Sequence, residues 1–552
     1  MSAFKKFLIY FSIVLGVILL IAIVFFAIMF FSPNKDIFGF QYIKLNETIT
    51  KTYTSSTELS VGDVEGLEIK TTASNIYICP NVQSGELKIV YNQDFSGFCK
   101  SNNTNCGFDV YKDSTKSFED ESPDTTYKAI VVDVTEPTGW ISKHDSSLYV
   151  YLPTNKTFDV ICVSSLGGQI DFSPITEDGQ FKSNKIYGYT KGGAPINITN
   201  NGSIKNFVLS TVGGKINFCQ KDLQANKIKI STQNGKFEFK NDSGDATLTL
   251  SDGLYVSSSS SKGPQIDIDK LNSNLYFESK NGKVSIKEAN VTSPSKILAF
   301  SSNRANIVLG KVYGKISLLG DESTIKNEVV ISELTNYYGD TSVFEIGSGK
   351  LNINELSAKI TVDSTSGKIN ITKSSFKHDS NIFTKSGDVN IEYDYSKNDN
   401  YENYDTNLKI ITETGNINLK NISVALDLTV KKSSPKKDFN LYFTAIASTD
   451  NYINAFDRVV NIELVGLNDS FQSRIASTRH VNVYEPAPVY QINDVDDDYF
   501  LTQNDYKDKY VISYRIGYYN SVDDDNYNMK NFNGWGKLLI NSSNQIYLST
   551  KN

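Results

Sequence analysis

Histidine is almost missing from this chain: three in 552 residues, at His144, His378 and His480. They lie far apart and show no partner spacing, and no HExxH, GxSxG, Walker-type or CxxC pattern occurs. Metal-assisted hydrolysis, triad chemistry and phosphate cradling therefore have no recognisable carrier, and no cofactor is expected. A basic excess is missing too. Lys and Arg number 55 against 62 Asp and Glu, a net charge of −7. Nucleic-acid binding needs a cationic face to displace counterions from phosphates, so it is excluded as a partner class. There are two Trp and three Met, Ala is scarce, and helix-favouring runs are absent beyond the first thirty residues. What is abundant is Ser, Thr, Asn, Ile, Lys and Tyr. The β-branched and aromatic members of that set suit a pleated, half-buried surface. The composition points to an all-β fold.

The one helical signal is at the start. From Phe7 to Phe31 the chain carries no charge. A helix of that length rises about 37 Å, enough to cross a hydrocarbon core of roughly 30 Å with some tilt. A cleaved signal peptide would have an apolar run of about 7–15 residues ending in small side chains. This run is longer and ends in Met29, Phe30 and Phe31. The expectation is an uncleaved signal-anchor, a single transmembrane helix with the bilayer as partner of residues 7–31. Lys5 and Lys6 precede it, while Lys35 behind it is offset by Asp36. The positive-inside rule places residues 1–6 in the cytosol and the rest outside the cell or in a lumen. The expected location is the plasma membrane or a secretory-pathway membrane. QIYLSTKN at the C-terminus has no hydrophobic glycolipid-anchor signal.

The five cysteines, Cys79, Cys99, Cys106, Cys162 and Cys219, all lie in the first half. Cys99 and Cys106 flank the polar stretch KSNNTN, and a disulfide closing that loop suits an oxidising compartment. Cys162 and Cys219 read as small buried hydrophobes. Sequons begin at Asn46, Asn102, Asn155, Asn197, Asn201, Asn241, Asn290, Asn370, Asn421, Asn468 and Asn541. A chain this rich in Asn, Ser and Thr produces about that many by chance; they permit N-glycosylation without proving it.

One phrase recurs through the middle of the chain. It reads SSLGGQIDF at 164–172, STVGGKINF at 210–218, STQNGKFEF at 231–239 and ESKNGKVSI at 278–286. It returns as VYGKISL at 312–318, GSGKLNI at 347–353, STSGKINI at 364–371, KSGDVNI at 385–391 and TETGNINL at 412–419. TASNIYI at 72–78 shares the rhythm, with Asn75 in the Gly place. Ser/Thr-rich residues lead to a Gly, a polar residue, and then apolar–polar–apolar. The glycines at 168, 214, 235, 282, 314, 349, 367, 387 and 415 are expected to supply positive φ at a turn. The alternation after each, as in Ile369, Asn370 and Ile371, is the period-2 signature of a half-buried strand. Spacings near 20 residues suit a parallel β-solenoid (β-helix), each coil rising about 4.8 Å. Some thirteen coils would make a rod of order 60 Å. A sandwich of hairpins needs turns every 8–12 residues and fits less well.

The phrase, together with LSVGDVEGLEIKTTASNIYI at 59–78 and LYVYLPTNKTFDVICVSSLGGQIDF at 148–172, resembles the adhesin domain family of Gly-punctuated β-solenoid proteins. The resemblance covers about residues 45–425. It implies a solenoid at a cell surface or envelope and carries over no functional residue, because the motif is structural. The expected plan is a cytosolic tail at 1–6, the helix at 7–31 and a stalk at 32–44. A β-solenoid ectodomain at 45–430 follows, interrupted by a loop-rich excursion at 93–147. A basic linker at 431–437, KKSSPKK, leads to a β-rich C-terminal region at 438–552 that caps the last coil.

Candidates for chemistry are thin. The acidic groups Asp494, Asp496, Asp497, Asp498 and Asp523, Asp524, Asp525 lack the spaced ligand pattern of a calcium loop and read as solvated. Asp171, Asp245 and Asp388 fall at outward repeat positions. Phe172, Phe218, Phe237 and Phe239 fall at inward ones and should be core. The function expected is a membrane-anchored, surface-displayed adhesin-like interaction protein without enzymatic activity, meeting a glycan, the matrix or a cell-surface protein. The alternatives are a glycan-active β-helix enzyme and an envelope-sensing or scaffold component.

Overall fold

A computed structural model describes residues 3–32, 35–37, 39–53, 61–81, 86–102, 106–118, 125–137, 139–172, 181–199, 204–291, 296–320, 324–336, 340–375, 379–393, 407–422, 425–430, 439–445, 450–456, 460–465, 471–476, 481–484, 489–491, 510–516, 536–542 and 546–551. Among them the chain is one N-terminal helix followed by strands, paired predominantly in parallel. The fold is a parallel β-solenoid. It divides into two compact units, residues 1–241 and 242–552.

The first unit opens with α1 (Ala3–Phe31), whose uncharged part from Phe7 on satisfies its backbone internally as a helix, as an apolar medium requires. It continues as β1 (Phe40–Tyr53), β2 (Gly66–Thr71), β3 (Asn75–Asn81), β4 (Leu87–Lys100), β5 (Gly107–Lys116), β6 (Tyr127–Thr135), β7 (Gly139–His144) and β8 (Ser147–Pro153). β9 (Thr157–Ser165), β10 (Ile170–Phe172), β11 (Lys182–Thr190), β12 (Ile196–Ile198), β13 (Asn206–Thr211), β14 (Lys215–Phe218), β15 (Asp222–Thr232) and β16 (Lys236–Phe239) complete it. From β9 on, each coil places one strand in each of two parallel ladders. One runs β6–β2–β9–β11–β13–β15 and the other β8–β3–β10–β12–β14–β16. Alternation decides what points inward. Ile170, Ile196, Ile216 and Phe237 stack in register, as do Phe172, Ile198, Phe218 and Phe239, and all are buried. Rings meet edge to face between the ladders, Phe207 to Phe218 at 5.3 Å, a favoured aromatic geometry.

Two expectations fail at the start of this unit. The segment 93–147 is not loop-rich: β4 to β7 run through it, and they end both ladders with antiparallel pairs, β5 on β6 and β1–β4–β8. Reversing strand direction stops the stack from recruiting another coil. The polar alternation of β4 and β5 lacks the Gly phrase, so nothing local marked them as strands of the same body. The stalk at 32–44 is likewise replaced. The backbone bonds between Ile37 and Phe40 turn the chain directly into β1, which pairs with β4 from Phe40 onward.

In the second unit the same two-ladder rule holds with longer strands. Arg304–Leu319 bends through Gly310 and Gly314 and pairs with Asn281–Val291 and then with Ile297–Ser301 without leaving β-structure. Gly314 has φ of 132° and Gly282 of 153°, values that favour glycine. Leu351, Ile369, Val389 and Ile417 form one buried column in register and Ile353, Ile371, Ile391 and Leu419 the next. Strands Gly536–Ser542 and Ile546–Lys551 add in parallel to Asp450–Phe456 and Val460–Val465. Tyr510–Ile516 lies antiparallel to both Phe471–Ala476 and Gly536–Ser542. The linker at 431–437 falls outside the described residues.

Candidate functional site

The repeated phrase builds an internal device before it builds a surface. At several of these turns the buried hydroxyl three residues ahead of the Gly accepts its N–H: Ser165 from Gly168 at 2.8 Å, Thr211 from Gly214 at 2.8 Å and Thr232 from Gly235 at 2.9 Å. In the second unit Thr384 and Thr412 do the same for Gly387 and Gly415 at 2.9 and 3.1 Å. This is the local side-chain-to-backbone bond that Ser and Thr offer at turns. The Gly itself serves a purpose other than the expected one. Gly168, Gly214, Gly235, Gly349, Gly367, Gly387 and Gly415 do not adopt positive φ. A Cβ on each would overlap the carbonyl oxygen of the turn one coil earlier, Ser74, Ala194, Gly214, Asn327, Gly349, Gly367 and Gly387 respectively. Glycine is required because backbone stacks on backbone. The register also puts Ser74, not Asn75, in the Gly place of 72–78.

A serine fits there because a carboxylate, not a coil, lies beneath it. Glu136 is buried and accepts hydrogen bonds from the N–H of Ala73 at 2.6 Å and from the Ser74 hydroxyl. Burial holds its carboxyl above the ordinary range although those bonds pull the other way. Nothing in the linear spacing tied Glu136 to Ser74; the parallel pairing of β2 with β6, Thr71 opposite Val134, brings them together.

The outward positions carry ladders. On the second unit, the Asn370 amide donates to Asn352 Oδ1 at 2.7 Å and accepts from Asn390 at 2.8 Å, a head-to-tail amide column of three successive coils. On the first unit, Tyr77 and Tyr149 stack at 4.8 Å with Tyr151 alongside at 6.5 Å, and Gln169 Nε2 donates to the Tyr77 hydroxyl at 3.0 Å. Tyr255 and Tyr276 stack at 4.7 Å in the second unit. The Tyr255 hydroxyl donates to Asp252 at 3.0 Å, and burial followed by that carboxylate pushes its phenol up to about 12. Such columns offer amide and phenol groups at coil spacing, which is chemistry for contact. Among the described residues no group of three or more His, Cys, Asp or Glu is arranged to hold a metal ion.

The remaining expected residues are scattered. Cys99 and Cys106 are both free thiols. Cys99 packs with Ile43 and Phe95, whereas Cys106 lies 3.5 Å from the Tyr91 hydroxyl, and Tyr91 is eight residues from Cys99 along β4. At strand rise that sets Tyr91 about 27 Å from Cys99, so the Cys106 thiol beside the Tyr91 hydroxyl lies outside a disulfide's reach of Cys99. Cys162 is buried with Phe118 and Tyr187 as expected, but Cys219 is exposed, its sulfur 3.0 Å from the Asn217 amide. It follows Phe218 at a coil edge, where the alternation turns it out. Burial pushes the Cys79 thiol up to about 12. Asn46, Asn102 and Asn155 are exposed; Asn197, Asn241, Asn290 and Asn370 are half-buried. Asn421 and Asn541 lie on strands, and Asn201 and Asn468 fall outside the described residues. So do His378, His480 and both acidic groups, while His144 packs on Phe95 at 4.5 Å, its pKa lowered by burial.

Residues 254–405 match the family Toastrack DUF4097. The Toastrack segment lies within the second unit and holds its bent strands, the amide column and the glycines from 282 to 387. Among solved structures, the chain is similar to a candidate adhesin from Parabacteroides merdae ATCC 43184. That match has 11% identity and a TM-score of 0.25, covering 68% of this chain and 96% of that one. No curated protein matches. The helix Phe4–Phe31 is long and apolar enough to cross a membrane.

Proposed function

We propose that this is a membrane-anchored interaction protein of adhesin type, acting by contact and not by turnover. The observation that carries the reading is the joining of one apolar, membrane-length helix to a β-solenoid whose outward positions are columns of amides and phenols. The helix is an uncleaved anchor with its N-terminus cytosolic, and the solenoid faces the cell exterior or a lumen. Its partners are a glycan, the matrix or a surface protein. A tag placed after Asn552 tests this. Antibody reaching it on intact, unpermeabilised cells is the expected result. Protection from antibody before permeabilisation, with a chain that is also insensitive to glycosidase, would place the solenoid in the cytosol and end the reading.

A further inference from the structure

The helix is longer than a bilayer needs, and its surplus is not free. Every residue from Phe4 to Ile21 is exposed, and its uncharged part, Phe7 to Ile21, gives about 22 Å of helix, most of the roughly 30 Å of a hydrocarbon core. Beyond that point one face is covered. Ala22, Phe25, Phe26 and Met29, spaced at helical periodicity, are wholly or partly buried, Met29 to 1% exposure. What covers this end is the start of β1 and the end of β4. Phe26 meets Phe98 edge to face at 5.0 Å, Phe30 meets Tyr42 at 5.1 Å, and Tyr42 meets Phe98 at 5.1 Å. Ser32 donates to the Met29 carbonyl, and the Asp36 carboxylate accepts from the Gly39 N–H just ahead of β1.

The rest of this helix end stays apolar and open: Ile28 is 51% exposed, Phe30 53% and Phe31 82%. Side chains of that kind at the level of Tyr42 and Phe98 are unfavourable in water and bury at the boundary of headgroups and acyl chains, the level at which Tyr side chains collect. Exposed Lys35, Lys44 and Lys100 lie on the same end, placed to meet lipid phosphate.

We propose that the β1–β4 end of the first unit is a second membrane contact, seated in the headgroup layer of the bilayer that α1 spans and clamped to the helix by Phe26, Phe30, Tyr42 and Phe98. This rests on α1 crossing the membrane, and the test separates the two claims. The full chain, with Trp140→Phe and Trp535→Phe as background, is placed in nanodiscs whose lipids carry bromine either near the headgroup end or near the methyl end of the acyl chain. Single tryptophans are introduced as Leu15→Trp, Phe98→Trp, Lys44→Trp and Asn155→Trp. Lys44 is exposed, so its replacement leaves the aromatic packing intact even if Phe98→Trp disturbs it. Asn155 follows β8 at the opposite end of β4, about 30 Å away. Expected is loss of Leu15→Trp emission to deep bromine, loss of Phe98→Trp and Lys44→Trp emission to shallow bromine, and no loss at Asn155→Trp. Leu15→Trp quenched with Lys44→Trp unaffected in both lipids would mean a spanning helix with the solenoid standing off, and would overturn the seating alone. Leu15→Trp unquenched would overturn the spanning helix and the seating together.

Discussion

Gly367 lies against the carbonyl oxygen of Gly349 one coil earlier, so closely that a Cβ would overlap it, and its N–H donates to Gly347 at 3.0 Å. Ala at Gly367 must push two coils apart. The expected cost is about 1–3 kcal/mol, the range of overpacked sites. Solenoids open locally, so hydrogen exchange over Lys359–Ser364 and Lys368–Ser374 is the appropriate measure, and protection there should fall. Gly193, with nothing within 4 Å of a Cβ, is the control. Gly193→Ala is expected to stabilise slightly, by about 0.4–1 kcal/mol through the unfolded chain.

Asp269 is fully buried while its ion-pair partner Lys287, at 2.7 Å, is more than half exposed. The two truncations are therefore unequal. Asp269→Ala leaves a lysine that can turn to water, so the loss is that of a half-exposed ion pair, about 1 kcal/mol. Lys287→Ala removes this cation from beside a fully buried carboxylate, which costs about 3–5 kcal/mol. Urea unfolding of the solubilised chain should rank Lys287→Ala below Asp269→Ala; the reverse order contradicts the burial seen here.

Glu136 gives the first unit a pH dependence. Its folded pKa is raised, so the folded chain holds a proton that the unfolded chain releases between the ordinary carboxylate value and the higher folded one. The stabilisation is complete below the ordinary value and is lost as pH rises through the folded value. Intrinsic-rate-corrected protection of Gly66–Thr71 and Asn75–Asn81 should therefore increase as pH falls from neutral towards that range. Glu136→Gln should remove the dependence.

The sequence made the coils legible because two signals coincide in them: apolar alternation, as in Ile216 and Phe218, and a Gly at fixed offset. Both are local. The glycine's purpose was not local, since Ala194 lies beneath Gly214 only after a coil has closed. The cap was hidden for the same reason. β1 and β4 are alternating strands like many others, and their antiparallel pairing joins residues far apart in the chain, from Tyr53 with Leu87 to Phe40 with Lys100, with no phrase to announce it. Cys99 and Cys106 looked close because six residues of chain separate them; the length of β4 carries the Cys106 neighbour Tyr91 eight residues away from Cys99. The outward Asn positions were legible as outward, but their bonding needed the register.

That register decides which sequons can be used. Asn370 begins the sequon Asn370-Ile371-Thr372, yet its amide both donates to Asn352 and accepts from Asn390, and the Thr372 hydroxyl donates to Asn354 at 2.8 Å. A glycan on Nδ2 would replace one amide hydrogen and insert a sugar where the next coil stands about 4.8 Å away. Asn46, Asn102 and Asn155 are exposed. Expressed through a glycosylating secretory pathway, the folded chain should yield glycopeptides at Asn46, Asn102 and Asn155 and an unmodified peptide at Asn370. Asn370→Ala should cost about 1–3 kcal/mol, two net hydrogen bonds, without changing the glycan count. Occupancy at Asn370 in folded, protease-resistant protein would mean that the amide column does not form in solution.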